Sequence, residues 1–261
     1  MDVKKRTPRF RPTAGPSLTS GLLQTIALLW EKREPGRRGP KPSLHRDAIV
    51  TTAIAIADEE GLDALSMQRL AGRLGFTTMS LYRYVRAKTD LVDLMVEGAL
   101  GTCPPLDPAQ AWRDQLEDWA LGIGRSFLAH PWSLAATTRL RVIGPNELGW
   151  MNNGVRILTQ VGLEGEEAFD ALLVVVGHVR TVAQFSFPAR EGEHALSGPL
   201  WVRAMQEILE RHGDDFAELR DVILHSTRDE STSLEDAFLF GLRCILDGLS
   251  LRVASRSNDN A

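Results

Sequence analysis

Between Thr77 and Arg83 the chain clusters side chains suited to reading double-stranded DNA. If this stretch is helical, Thr78, Met79, Ser80, Tyr82 and Arg83 lie on the face away from Leu81, with Thr77 at its start. Hydroxyl, thioether, phenol and guanidinium groups on such a face hydrogen-bond or touch base edges and phosphates in a major groove. Upstream, Arg37, Arg38 and Lys41 sit in Pro35-Gly36-Arg37-Arg38-Gly39-Pro40-Lys41-Pro42, which Pro and Gly keep from forming a helix or a central strand. This basic, extended arm suits a minor groove beside the site. It equally suits a solubilising linker. Metal chemistry is not indicated: His130 and His178 lack a second ligand at helical spacing, and Cys103 and Cys244 are too few and too far apart for a zinc framework. Residues 100–261 carry no paired-carboxylate, Ser/His/Asp or phosphate-loop signature, so neither an enzyme nor a cofactor is expected.

The elements that must hold these residues are short helices. Ile49, Ala53, Ile56 and Ala57 form a stripe that stops at Gly61. Ser66 caps a helix over Met67–Leu74, Gly75 ends it, Thr77 or Thr78 starts another to Val85, and Thr89 begins a fourth through Leu100. Two helices crossing at a wide angle need a small residue at the contact, which Ala71 supplies, and a turn residue tolerant of positive φ, which Gly75 supplies. Leu70, Leu74, Phe76 and Leu81 lock the second helix onto the first. An ordinary αα-hairpin is the plain alternative; agreement over about twenty consecutive positions, together with the upstream arm, favours a helix-turn-helix.

With those residues in view, the chain resembles the tetracycline-repressor family of bacterial transcription regulators. The resemblance rests on Ala57-Asp58-Glu59-Glu60-Gly61, Leu65-Ser66-Met67, Ala71, Leu74-Gly75, Ser80-Leu81-Tyr82-Arg83-Tyr84-Val85 and Lys88. It continues more weakly into Phe238-Leu239-Phe240-Gly241-Leu242 and Ile245-Leu246-Asp247-Gly248-Leu249, which look like a final dimer-forming helix. The resemblance implies an all-α homodimer with two reading heads, released from a palindromic operator when a small effector binds the C-terminal domain. It implies base or phosphate contacts from Gln68, Thr78, Met79, Ser80, Tyr82 and Tyr84, a backbone-phosphate contact from Lys88, and Ser66 capping its helix against a phosphate. A metal-chelating histidine of the tetracycline-binding relatives has no equivalent here, which argues against tetracycline as the effector.

Length and charge set the larger plan. The chain has 261 residues and a formal net charge of −4, which as a single number argues against nucleic acid. Residues 1–99, however, sum to +5 and leave −9 on the remainder, a basic front on an acidic body. The expected organisation is a basic N-terminal extension over 1–43, a helix-turn-helix domain over 44–100 and a helical ligand-binding and dimerisation domain over 101–261. Within the extension, Leu22, Ile26, Leu29 and Trp30 predict a short amphipathic helix inside Ser17–Glu34, without the cleavage site of a secretory signal.

In the body, helices are expected over Pro108–His130, Trp132–Leu140, Asn146–Val161, Glu164–Phe187, Pro199–Arg211 and Leu234–Leu251, with a frayed tail from Arg252. The run Leu172–Val176 reads as a helix buried all round. Trp112, Trp119, Phe127, Trp132, Trp150, His178, Arg180, Gln184, Phe185 and Trp201 are the candidates for an effector pocket, and each taken alone fits a core role better. Leu172, Val175, Val176, Phe238, Leu242, Ile245 and Leu249 are the candidates for a four-helix dimer interface. No apolar run reaches a membrane-spanning length, and two lone cysteines suit a reducing cytoplasm. Competing readings are a DNA-binding protein without an effector and an enzyme that carries a helix-turn-helix.

Overall fold

The computed structural model describes residues 19–31, 44–186, 198–224 and 232–259, and every regular element among them is helical. The N-terminal extension contributes α1, Ser20–Trp30. The head follows with α2, Arg46–Glu60; α3, Met67–Leu74; α4, Thr78–Leu81; and α5, Lys88–Leu100. The body holds α6, Trp112–Ala129; α7, Trp132–Ala136; α8, Pro145–Gln160; α9, Glu166–Ser186; α10, Gly198–His212; α11, Ala217–Leu224; and α12, Thr232–Asp259. A 3₁₀ turn over Gly213–Phe216 joins α10 to α11.

Two cores carry the stability. In the head, Ile49, Ile56, Leu70, Leu81, Leu91 and Met95 are fully buried, each contributing about 1.5–3 kcal/mol by leaving water. The body core gathers Leu116, Trp119, Ile157, Leu158, Leu172, Val175, Val179 and Leu242 from α6, α8, α9 and α12. The boundary between the two cores does not follow the chain. Leu29 of α1 and Trp132 and Ala136 of α7 are buried in the head's core, so segments that precede and follow the head in sequence plug into it.

Several helices differ from expectation for visible reasons. The α7 helix stops at Ala136, where the Thr137, Thr138 and Arg180 side chains take the Leu134 and Ala135 carbonyls that a further turn would use. Conversely α12 runs on to Asp259, because Arg252 and Arg256 pair with Glu167 and Arg256 also bonds the Gly162 carbonyl. The residues from Arg252 are therefore held, not frayed. Leu172–Val176 is not buried all round: Leu172 and Val175 face the core, while Leu173 and Val174 are exposed. By length and composition α9 would cross a membrane, contrary to the reading of the sequence. Here one flank packs on α6, α8 and α12, and Glu166, Glu167, Asp170 and Arg180 lie along it.

Head and body are joined at α5 and α8. The Glu97 carboxylate on α5 accepts the backbone N–H groups of Asn146 at 2.7 Å and Glu147 at 3.1 Å, capping the first turn of α8. Asn146 returns a side-chain hydrogen bond of 2.9 Å to the Glu97 carbonyl. A carboxylate at a helix N-terminus gains both orphan donors and the helix dipole. Burial nevertheless prevails and pushes the Glu97 carboxyl above its ordinary range, the two backbone N–H bonds lowering it in part. Gly144 makes the approach possible, since a Cβ there would collide with the Glu97 side chain. Substituting Gly144→Ala is expected to destabilise the chain by about 1–3 kcal/mol through this overpacking, read as a lower urea midpoint at unchanged m value. An unchanged midpoint would contradict the joint as described.

Candidate nucleic-acid interface

The reading face of the head is shaped by capping. The Ser66 hydroxyl accepts the Arg69 N–H at 3.1 Å and starts α3. Gly75 then takes the left-handed conformation, φ 74°, while the Phe76 N–H reaches back to the Ala71 carbonyl at 3.0 Å. That reversal turns the chain into Thr77, whose hydroxyl accepts the Ser80 N–H at 3.3 Å and starts α4. Ala71 is buried at the crossing and Leu81 is anchored without exposure, which fixes the rotation of α4 about its axis. The helix is one turn long, not two: after Leu81 the chain tightens, with Tyr84 N–H and Val85 N–H both bonded to the Leu81 carbonyl.

This rotation leaves Met79 at 74% and Tyr82 at 42% exposure. Gln68, Thr77 and Arg83 are exposed beside them, and Thr78, Ser80 and Tyr84 are half-buried. Phe76, expected as a lock between the helices, is itself 37% exposed, and Leu70 and Leu81 do the locking. Two arginines of α3 are engaged by α2 carboxylates: Arg73 forks onto Glu59 at 2.6 and 2.8 Å, and Arg69 pairs with Glu60. Arg73 holds the Glu59 carboxyl below its usual range, and the pairs brace α3 against the end of α2. Arg83, in contrast, makes no ion pair among the described residues and stands exposed at the edge of the face. The Lys88 ammonium lies at the start of α5 and donates to the Leu62 carbonyl at 3.2 Å, so it braces the α2–α3 turn. Arg37, Arg38 and Lys41 lie outside the described residues.

The body candidates separate into different roles. Trp132 does not face a cavity in the body: it is 5% exposed within the head's core, and its indole N–H donates to Asp58 of α2 at 2.7 Å. His130 joins the same carboxylate at 2.9 Å, so Asp58 gathers two side chains of the body. Asp58 escaped the sequence reading, although it lies in the Ala57–Gly61 motif, because nothing local marks a partner more than 70 residues away.

Trp119 donates to the Trp150 carbonyl at 2.8 Å and Trp150 to the Gly101 carbonyl at 3.1 Å, and both rings fill the body core. Trp112 is half-buried against the same core, under the Arg113 guanidinium. His178 bonds the Phe238 carbonyl at 2.8 Å and ties α9 to α12. What remains is two pairs, Arg180 with Phe127 and Phe185 with Trp201, while Gln184 is exposed on α9. The Arg180 guanidinium lies 5.6 Å from the Phe127 ring and bonds Thr137 at 2.7 Å and the Leu134 carbonyl at 3.0 Å. Burial lowers its pKa, with Glu147 opposing the shift and Arg141 adding to it. Phe185 meets Trp201 edge-on at 5.5 Å with both rings partly exposed.

Of the interface candidates, Leu172, Val175, Phe238 and Leu242 are buried in the protomer's own core, and Val176, Ile245 and Leu249 pack against it. The apolar residues turned outward are Phe169, Leu173 and Val174 on α9 and Phe240 and Leu251 on α12.

Comparison with known proteins agrees with this geometry. The family model "Bacterial regulatory proteins, tetR family" matches residues 49–95, and "Tetracyclin repressor-like, C-terminal domain" matches residues 104–253. The HTH-type transcriptional repressor DrrR1 of Streptomyces coeruleorubidus is 35% identical over 258 residues, spanning 95% of this chain and 94% of that protein. Among solved structures, apo ActR of Streptomyces coelicolor superposes with a TM-score of 0.68 at 27% identity, covering 83% of this chain and 99% of ActR. ActR in complex with actinorhodin superposes at 0.64 and 29% identity, covering 80% of this chain and 96% of that one.

Arg83, without an ion pair among the described residues, gives a direct test. Replacing Arg83→Gln should weaken binding of any duplex by a similar factor and lower the slope of log K against log salt by about 1, measured by fluorescence anisotropy. An unaltered slope would remove Arg83 from the phosphate contacts.

Proposed function

Since the chain belongs to the tetR family of bacterial regulatory proteins, we propose that this helix-turn-helix transcriptional regulator works as a homodimer that represses from a palindromic operator and is released by a small molecule. The carrying observation is the exposed reading face on α4, with Met79, Tyr82 and Arg83 turned outward from a buried Leu81. The hydroxyls of Thr77, Thr78 and Ser80 and the amide of Gln68 join that face at the groove. Ser66 presents the N-terminus of α3 to a phosphate, and Tyr84 and Lys88 meet the backbone once Lys88 exchanges the Leu62 carbonyl for phosphate. Arg37, Arg38 and Lys41 reach the minor groove beside it.

A single head reads only a few base pairs, whereas two heads about 34–36 Å apart read successive major grooves on one side of the duplex. The outward stripes of Phe169, Leu173 and Val174 on α9 and Phe240 and Leu251 on α12 support a two-fold contact in which these helices pair across the axis. That contact uses different residues of the same two helices from those the hydrophobic pattern picks out, because the inward ones are already spent on the protomer's core.

For the effector, the solved complex of ActR with actinorhodin supports a body site for an extended aromatic molecule. In this chain Phe127, Arg180, Gln184, Phe185 and Trp201 are the residues assigned to it, combining ring faces with a few polar groups. Release then follows from population shift: a ligand that prefers one arrangement of the two heads lowers operator affinity by its differential affinity for the two arrangements.

Selection of bound duplexes from a random pool is expected to return an inverted repeat with half-sites about one helical turn apart. A Tyr82→Ala chain should bind that duplex about 10-fold or more weakly, with melting temperature and dimer mass unchanged. Recovery of sequences without a common motif, or full affinity in the Tyr82→Ala chain, would contradict the proposed docking.

A further inference from the structure

The α1 helix lies outside both segments that match family models, yet it touches the head and the body at once. On the head side, Leu29 is buried among the residues of the head's core. The Thr25 hydroxyl donates to Asp90 of α5 at 3.0 Å. The Arg46 guanidinium, at the first residue of α2, bonds the carbonyl of Leu28 and that of Glu31, the latter at 3.2 Å. These are the carbonyls that the C-terminus of α1 leaves without helical partners. On the body side the Trp30 indole N–H donates to the Ile143 carbonyl at 3.0 Å.

Ile143 belongs to 139–144, a segment without regular structure that leads into α8. Val142 of this segment packs against the head's core, and further attachments are charged. Arg139 pairs with Asp93 of α5, Arg141 pairs with Glu147 of α8, and Gly144 sits against Glu97. Arg141 also acts electrostatically on Arg180, in the region assigned to the effector. The segment thus touches α5 and α8 as well as α1, and Trp30 holds it at the Ile143 carbonyl.

An isolated helix of 11 residues is marginal in water, so α1 owes its order to docking. An element of that kind responds to whatever it is docked on. We propose that α1 is a coupling strap between head and body, with Trp30 the positioning residue that ties the 139–144 segment to operator binding. The proposal rests on the reading of the chain as an operator-binding regulator. When the heads are fixed on DNA, α2 and α5 hold α1, and α1 holds the segment through the Ile143 carbonyl. By reciprocity, a displacement of the segment from the body side loosens the heads.

The test is hydrogen exchange on the full chain, with and without a saturating duplex recovered from the random-pool selection. In the wild type the duplex should slow exchange across 139–144 by about 10-fold, within the range of ordinary coupling between sites. In Trp30→Phe, which keeps an aromatic ring and removes the indole N–H, the slowing should fall below about 3-fold while melting temperature and dimer mass stay unchanged. Thr25→Val cuts the strap at its other end, at Asp90, and should give the same loss; it carries the test if Trp30→Phe lowers the melting temperature. Wild-type slowing in both variants, or no slowing in the wild type despite bound duplex, would overturn the strap. Failure of the wild type to select or bind any duplex would overturn the regulator reading and the strap together, and is visible in the binding measurement alone.

Discussion

The Glu97 carboxylate set on the first turn of α8 is the constraint on which the remaining structure depends. The α5 helix contributes Leu91 and Met95 to the head's core and ends against the body, so its direction sets the orientation of the reading face. A buried carboxylate that must find two backbone N–H donors at hydrogen-bond length admits few positions of α8 relative to α5. Gly144 removes the one side chain that would hold them apart. The Arg139–Asp93 pair and the Asp58 contacts to His130 and Trp132 surround this joint. Head and body are therefore not two beads on a linker. They share a polar seam in which movement of one side requires breaking hydrogen bonds that burial makes costly to leave unmade.

Within the head, the same economy appears at smaller scale. The reading face uses its polar groups twice: Ser66 and Thr77 cap helices and are also exposed at the surface proposed to meet DNA. The net positive charge of the front is less available than its sum suggests, because Arg69 and Arg73 are neutralised by Glu59 and Glu60. On the described head, Arg83 is an exposed cation left outside these pairs.

Much of the head was legible in the sequence, because its signals are local. Ser66, Gly75 and Thr77 act on residues three to five positions away, and the buried positions Ile49, Ala53, Ile56 and Ala57 repeat with the helical period. The body was legible as helices and much less as contacts. Trp132 read as a pocket residue and is a plug in the head's core, since no periodicity tells which core a tryptophan enters. The dimer candidates were drawn from the inward faces of α9 and α12, because hydrophobicity alone does not separate a stripe buried within a protomer from one left exposed on it. The extent of α12 depended on Glu167, distant in sequence, and α11 with its preceding 3₁₀ turn was not among the helices expected. Glu97, Asp58 and the α1 contacts had no local signature at all.

The central claim is that the α5–α8 joint fixes the reading face on the body, and in the proposed homodimer this sets the separation of the two heads. A spin label placed on each protomer through Met79→Cys, with Cys103 and Cys244 replaced by Ala, reports that separation directly by pulsed dipolar spectroscopy. With Glu97 present, the free dimer should give one narrow distribution close to the 34–36 Å between successive major grooves, and Glu97→Ala should broaden it at unchanged dimer mass. An equally narrow distribution at the same distance in the Glu97→Ala chain would contradict the account.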